Sequence, residues 1–226
     1  MENFDGILNL NKPTGITSAR AISRIKHLIQ KRAKVGHAGT LDPFATGVLL
    51  VLIGKATRKC ESLMGEPKQY EATIRLGATT ATDDLDSPPV PFPGATMPDR
   101  SQVESVLPQF IGTILQRPPA FSALKVGGQR AYDLARQGQA IELAERPVRI
   151  DAIELIAYEA PDLRLRIDCG RGTYIRAIAR DLGTTLNCGG YLTQLCRTRV
   201  GRFRIENASS LDSLTADAIR AQLDRE

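Results

Sequence analysis

Residues 48–53, VLLVLI, form an apolar, mostly branched run with no polar break. It is too short for a typical helix and predicts a strand buried on both faces. Residues 70–76 follow a different rhythm. Tyr70, Ala72, Ile74 and Leu76 alternate with Glu71, Thr73 and Arg75, so a strand with one buried face is predicted. The same alternation returns at 163–169, where Leu163, Leu165, Ile167 and Cys169 face away from Arg164, Arg166 and Asp168. A strand over 149–158 precedes it, joined to it at Ala160-Pro161. Residues 191–203 predict a strand pair, or one strand bent at Gly201.

Helical spacing appears four times. Ala19, Ile22, Ile25, Leu28 and Ile29 follow Thr17 and Ser18, either of which caps a helix. Val103, Val106, Leu107 and Phe110 follow a cap at Asp99 and are cut short by Pro108. Ile175, Ile178, Ala179 and Leu182 predict a helix over about 174–186, broken at Gly189-Gly190. A last helix is predicted over 215–223. Residues 77–98, rich in proline and glycine, predict a loop. Its acids Asp83, Asp84 and Asp86 lack the glycine turn and terminal Glu of a calcium loop and are expected to be solvated.

The 226 residues, 42% of them hydrophobic, suffice for a core in one large domain or two small ones. No apolar run approaches the ~20 residues of a membrane span, and the N-terminal residues lack a signal-peptide layout. A soluble cytoplasmic protein with no membrane partner is therefore expected. Cys60, Cys169, Cys188 and Cys196 form no CxxC pair, and His27 and His37 lie far from the last three. Reduced, packed thiols are expected, and no metal site.

A net charge of +5 suits a polyanionic partner without requiring one. Arg20, Arg24, Lys26, Lys31, Arg32 and Lys34 give the first helix region a basic surface. With no tryptophan and 5% aromatics, a broad base-stacking platform for single strands is not expected. RNA recognition would rest on backbone charge, shape and one or two stacking residues.

The chemistry concentrates in GHAGTLDPFATGVLLVLIGKATR, residues 36–58. A glycine-punctuated loop presents one acid, Asp42, held by Pro43, at the mouth of the buried strand. A solubilising acid needs no such scaffold. Further on, FSALKVGGQRAYDLARQG carries the joint Gly127-Gly128 and the cations Lys125, Arg130 and Arg136. It is expected to be either a mobile basic flap or an ordinary surface hairpin.

Residues 36–58 resemble the catalytic block of the TruB-type tRNA pseudouridine synthases. Two further blocks resemble that family in the same order. They are KQYEATIRLG, with Tyr70, and CGRGTYIR, with Tyr174 and Arg176, followed by Asp181-Leu182-Gly183. LNLNKPTGITS and QRPPAFSALKVGGQRAYDLAR match as well. The resemblance implies an α+β fold, with a mixed, largely antiparallel central sheet flanked by helices. It implies one catalytic domain over 1–226 with a basic thumb-like insertion at about 120–147. Many relatives continue into a small RNA-binding PUA domain, for which the sequence given leaves no room.

The implied activity is an isomerase, an intramolecular transferase. It converts the uridine at position 55 in the T-arm of tRNA to pseudouridine by base flipping, with no metal or small-molecule cofactor and as a monomer. Asp42 is implied as nucleophile or base at the sugar, Arg176 as its guanidinium partner, and Tyr70 as the stacking residue that also serves the last proton removal. Leu195 is implied to pack on the base and His37 to enter the T-loop. Tyr174, Lys125 and Arg130 are further RNA-contact candidates. Lys12 is expected either to meet RNA phosphate or to support the Asp42 loop.

The sequence departs from the family at Ala81, within Thr80-Ala81-Thr82, at Asn187, where glycine is usual, and at Gly190, where alanine is common. Three other readings stand beside this one: a non-catalytic RNA-binding or RNA-folding factor on the same scaffold, a synthase acting on another RNA stem-loop, and a carboxylate-metal nuclease using the acids at 83, 84 and 86.

Overall fold

The computed structural model describes residues 4–30, 33–122, 124–126, 128–137 and 143–225, without the side chains of 125, 126, 130, 133, 135 and 136. In chain order the elements begin with β1 (Gly6–Lys12), α1 (Ser18–Leu28), β2 (Val35–Ala38), β3 (Thr46–Ile53), α2 (Cys60–Gly65), β4 (Lys68–Leu76), β5 (Ala78–Thr79) and β6 (Val90–Pro91). Next come α3 (Arg100–Val106), β7 (Gly112–Gln116), β8 (Lys125–Val126), β9 (Gln129–Arg130), α4 (Ala131–Arg136), β10 (Arg146–Glu159) and β11 (Asp162–Cys169). The chain closes with α5 (Ile175–Thr185), β12 (Gly190–Val200), β13 (Phe203–Arg204), β14 (Ser209–Ser210) and α6 (Ala216–Gln222). The class is α+β, with a mixed, largely antiparallel sheet flanked by helices. Two compact units are distinguishable, Met1–Glu71 with Gln194–Glu226, and Ala72–Thr193; the divisions fall inside β4 and β12.

In the first unit the strand order is β14–β1–β3–β12, with β2 also on β3 and β13 on β12. β3 meets β1 antiparallel at Leu10↔Leu49, β2 antiparallel at Val35↔Ile53, and β12 in parallel at Cys196↔Thr46. With neighbours along both edges, every β3 residue after Thr46 is buried, as the unbroken apolar run predicts. Val48, Leu50 and Leu52 pack with Ile7, Ala38, Ala56 and Val200; each such buried aliphatic chain contributes ~1.5–3 kcal/mol. Gly47 makes the parallel contact possible. Its φ is +101°, and a Cβ there would lie 2.2 Å from the carbonyl oxygen of Arg197.

In the second unit the order is β4–β11–β10–β7. The predicted alternation of β11 holds: Leu163, Leu165, Ile167 and Cys169 are buried. α3 begins with a capping box, the Asp99 carboxylate accepting from Gln102 N while the Gln102 side chain accepts from Asp99 N. α5 lies close against the start of β12, since a Cβ on Gly183 would sit 2.2 Å from Gly190 N and one on Gly190 would sit 2.8 Å from Ala179 O. This contact explains the glycine of Asp181-Leu182-Gly183 and leaves no space for alanine at 190. Asn187, just past α5, has φ +51°, a left-handed conformation that asparagine adopts more readily than most other non-glycine residues.

The expectation of a solvated acidic loop holds for Asp86, which is exposed, and is corrected for Asp84. Asp84 is 2% exposed, and Thr80 and Thr82 both donate their hydroxyls to its carbonyl. Its carboxylate accepts from Asp86 N.

Candidate functional site

In the first unit the site is built around the loop between β2 and β3. All six carbonyls of residues 39–44 accept a hydrogen bond. Gly39 O and Thr40 O accept from the Arg197 guanidinium at 3.1 and 3.4 Å. Leu41 O accepts from Ser18 Oγ, which in turn accepts from Leu41 N. Asp42 O accepts from Ala45 N. Pro43 O accepts from Gly15 N and from Lys12 Nζ, and Phe44 O accepts from Thr14 Oγ1. The N-terminal stretch LNLNKPTGITS is therefore the clamp of this loop. A half-buried carboxylate is held on a backbone whose neighbouring carbonyls each accept a hydrogen bond.

Two buried cations do much of this work. Arg197 is 1% exposed and also donates Nε to Val48 O at 2.7 Å. Lys12 has no exposed surface and donates to Pro13 O, Ile16 O and Pro43 O. The reading of Lys12 as a phosphate contact is corrected by this geometry: its ammonium is committed to carbonyls inside the fold. Burial lowers its pKa from 10.5 to about 8, while the Asp42 charge works to raise it and the Arg197 charge to lower it. The coupling is mutual, so the ammonium also favours the charged form of Asp42.

His37 lies on β2 opposite Val51. Its pKa falls below the usual histidine value because of burial and then the Arg197 charge, against a hydrogen bond with the Gly39 backbone. The ring is therefore neutral at pH 7, and its buried Nδ1 has no hydrogen-bond partner among the described residues. Tyr70 is on the inward face of β4 and Leu195 on that of β12, both buried.

In the second unit Arg176 stands in the first turn of α5 and is 5% exposed. It donates to Thr82 O at 3.2 Å and Phe121 O at 3.1 Å and lies 3.5 Å from the Asp84 carboxylate. On the next turn Arg180 meets Asp83 at 3.0 Å and Asp181 at 2.8 Å. Burial pushes Asp83 up to about 6, against the pull of Arg180 and Arg176. Acids at 83 and 84 engaged by guanidinium groups are poorly suited as metal ligands, which weighs against the nuclease reading. Tyr174 caps α5, and the Arg146 guanidinium lies 5.1 Å from its ring centroid. The backbones of Lys125 and Arg130 pair across β8 and β9, while their side chains fall outside the described residues.

The first unit thus joins Lys12, His37 and Asp42 through Arg197, and the second joins Tyr174 to Arg176. Sequence reasoning missed Arg197 and Gln116, and took Asp84 for a solvated acid. Arg197 carried a signal, since it shares the inward parity of Leu195 on β12, where a charge needs a partner. A cavity of about 500 Å³ lies at the far end of β3 from Asp42, lined by Asp5, Lys55, Lys59, Arg220 and Arg225 among others.

The family model described as TruB family pseudouridylate synthase (N terminal domain) matches residues 26–175. The model for the tRNA pseudouridylate synthase B C-terminal domain matches 176–226. The chain is 50% identical over 213 residues to a tRNA pseudouridine synthase B of Mycobacterium sp. (strain KMS), covering 92% of this chain and 71% of that one. It is 47% identical over 216 residues to the Phocaeicola vulgatus protein of the same name, covering 92% and 90%. Among solved structures it is similar to a chain of a Cbf5-Nop10-Gar1 complex, with TM-score 0.72 and 32% identity, covering 95% of this chain and 54% of that one. It is also similar to a chain of an H/ACA RNP bound to a substrate RNA containing 2'-deoxyuridine, with TM-score 0.70 and 29% identity, covering 94% and 52%. The chain spans about half the length of these two solved chains.

Proposed function

The chain belongs to the TruB family of pseudouridylate synthases, and from that premise we propose that it converts uridine to pseudouridine in tRNA, at position 55 of the T-arm. Substrate and product contain the same atoms. The bond between uracil nitrogen and ribose breaks, the base turns, and a bond to uracil carbon forms while that carbon gives up its proton and the freed nitrogen gains one, so no group donor or oxidant is called for.

Asp42 acts at the sugar, as nucleophile or as base, while the uracil is detached. A free aspartate has a pKa of ~3.9, and the two cations bonded into its loop favour the ionised form the step requires. The observation that carries this reading is the loop itself, with each carbonyl around Asp42 tied down. Catalysis gains most when the reacting group is held in place before substrate arrives. Arg176 serves the reaction as its guanidinium. Tyr70 stacks on the flipped uracil, worth ~1–3 kcal/mol per base, which matches the few kcal/mol that flipping costs. Leu195 packs on the same base. His37, half-buried and neutral just before the Asp42 loop, enters the T-loop. Tyr174, Lys125 and Arg130 contact RNA, the last two from the thumb-like insertion.

We take 1–226 as one synthase domain, working as a monomer in the cytoplasm on tRNA. The test is a map of pseudouridines in bulk tRNA from cells with and without the protein. Loss of the position-55 signal alone is expected. Loss at another RNA stem-loop would move the substrate, and no loss anywhere would favour an RNA-folding factor.

A further inference from the structure

Gln116 ends β7 and is 1% exposed. Both ends of its amide are spent on one residue: Nε2 donates to Tyr174 O at 3.1 Å, and Oε1 accepts from Tyr174 N at 2.9 Å. A side chain thereby does for Tyr174 what a neighbouring strand would do. Helix α5 needs this support. Tyr174 caps it without a side-chain hydrogen bond, and its first turn has no acidic residue.

The grip extends beyond one residue. Gln116 pairs with Arg146 across β7 and β10, and Arg146 donates to Gly172 O at 2.8 Å while lying over the Tyr174 ring. Just after Gln116, Arg117 O accepts from Arg180 at 2.8 Å and Phe121 O accepts from Arg176 at 3.1 Å. Residues 116–121 therefore hold α5 at 174, 176 and 180. Arg176 is nearly buried, so its guanidinium sits where the helix backbone puts it. The identity of residue 116 matters for the same reason. Glutamate would keep the acceptor for Tyr174 N but set a carboxylate oxygen against Tyr174 O; methionine would keep the length and lose both bonds.

We propose that Gln116 is a positioning residue for the isomerisation, fixing through the Tyr174 main chain the start of the helix that carries Arg176. This rests on the synthase reading above and on the role of Arg176 within it. Gln116 holds the Tyr174 main chain and leaves the ring, the proposed RNA contact, against Arg146, so its effect is expected in the chemical step more than in RNA binding.

The test compares wild type with Gln116→Glu, Gln116→Met and, as a control on the same strand, Leu115→Thr, whose side chain is 68% exposed. Pseudouridine formation is followed on a tRNA transcript, in steady state and in single turnover, well below each protein's melting transition. Both Gln116 variants are expected to lose about 10- to 100-fold in kcat and single-turnover rate, the scale of a small misplacement of a catalytic group. KM and tRNA affinity should stay within about threefold, because an interaction realised only in the transition state leaves ground-state binding alone. Leu115→Thr should match wild type. Folded Gln116 variants with the full single-turnover rate would overturn the proposal, even if they melt earlier. A raised KM with unchanged kcat would overturn it too. A wild type that makes no pseudouridine would overturn the synthase reading and this proposal with it; an active wild type with unaffected Glu and Met variants would overturn this proposal alone.

Discussion

The two units bury their charges by opposite means. In the first, the hydrogen bonds of Lys12 and Arg197 go to main-chain oxygens. In the second, Arg176 and Arg180 meet carboxylates as well as carbonyls. Carbonyl dipoles satisfy a cation without neutralising it, so positive potential remains around Asp42. A carboxylate partner satisfies and neutralises together, which fixes Arg176 in space while sharing its charge. The difference suits the two roles proposed above: an acid that must stay ionised, and a guanidinium that must stay put.

Breaking the carbonyl-bound side should have the largest effect. Arg197→Met leaves three buried carbonyls without their donor, and a loss of about 3–5 kcal/mol is expected, from about 1–3 kcal/mol for each unsatisfied acceptor. For a chain of this size that is roughly a 6–20 °C fall in Tm, read by thermal melting. Breaking the carboxylate-bound side should cost less. Asp84→Asn keeps the shape and removes the charge beside Arg176, so about 1–3 kcal/mol of stability is expected to go. Its kcat should fall while tRNA affinity holds, because the guanidinium loses one of its anchors.

The comparison is sharpened by pH. Lys12 loses its proton near pH 8 in the folded protein, so pseudouridine formation should decline above that pH as Lys12 gives up one of its three N–H donors and Asp42 loses a nearby cation. Stability should move the other way. Between about pH 8 and 10.5 the unfolded chain holds a proton that the folded chain does not, and this group alone makes folding more favourable as pH rises. Opposed trends in rate and stability over that window, absent in Lys12→Met, would identify the residue. The smallest effect belongs at the surface. Arg24 and Asp212 meet at 3.1 Å with both side chains exposed, and Arg24→Ala should change stability by no more than about 1 kcal/mol.

What the sequence disclosed and what it hid follow from range. β3, the alternation of β4 and β11, and helix α5 are written in local periodicity, since their burial is decided within a few residues. The Asp42 loop is legible because glycine and proline mark a constrained backbone by themselves. Its support is not: Arg197 Nε reaches Val48 O across 149 positions of sequence. The acids at 83 and 84 look solvated because proline and glycine surround them. The arginine that reaches Thr82 O and faces Asp84 comes from 94 positions downstream of Thr82. Gln116 gave no local signal, since glutamine at the end of an edge strand is ordinary until its amide is seen against Tyr174.

The most direct measurement of the central claim is pseudouridine at position 55 of a tRNA transcript, made by wild type and by Asp42→Asn, with tRNA binding recorded for both. Full conversion by wild type is predicted, with no product from Asp42→Asn and binding within about threefold, as expected when only the chemical step is lost. Product formed by Asp42→Asn at the wild-type rate would contradict the account.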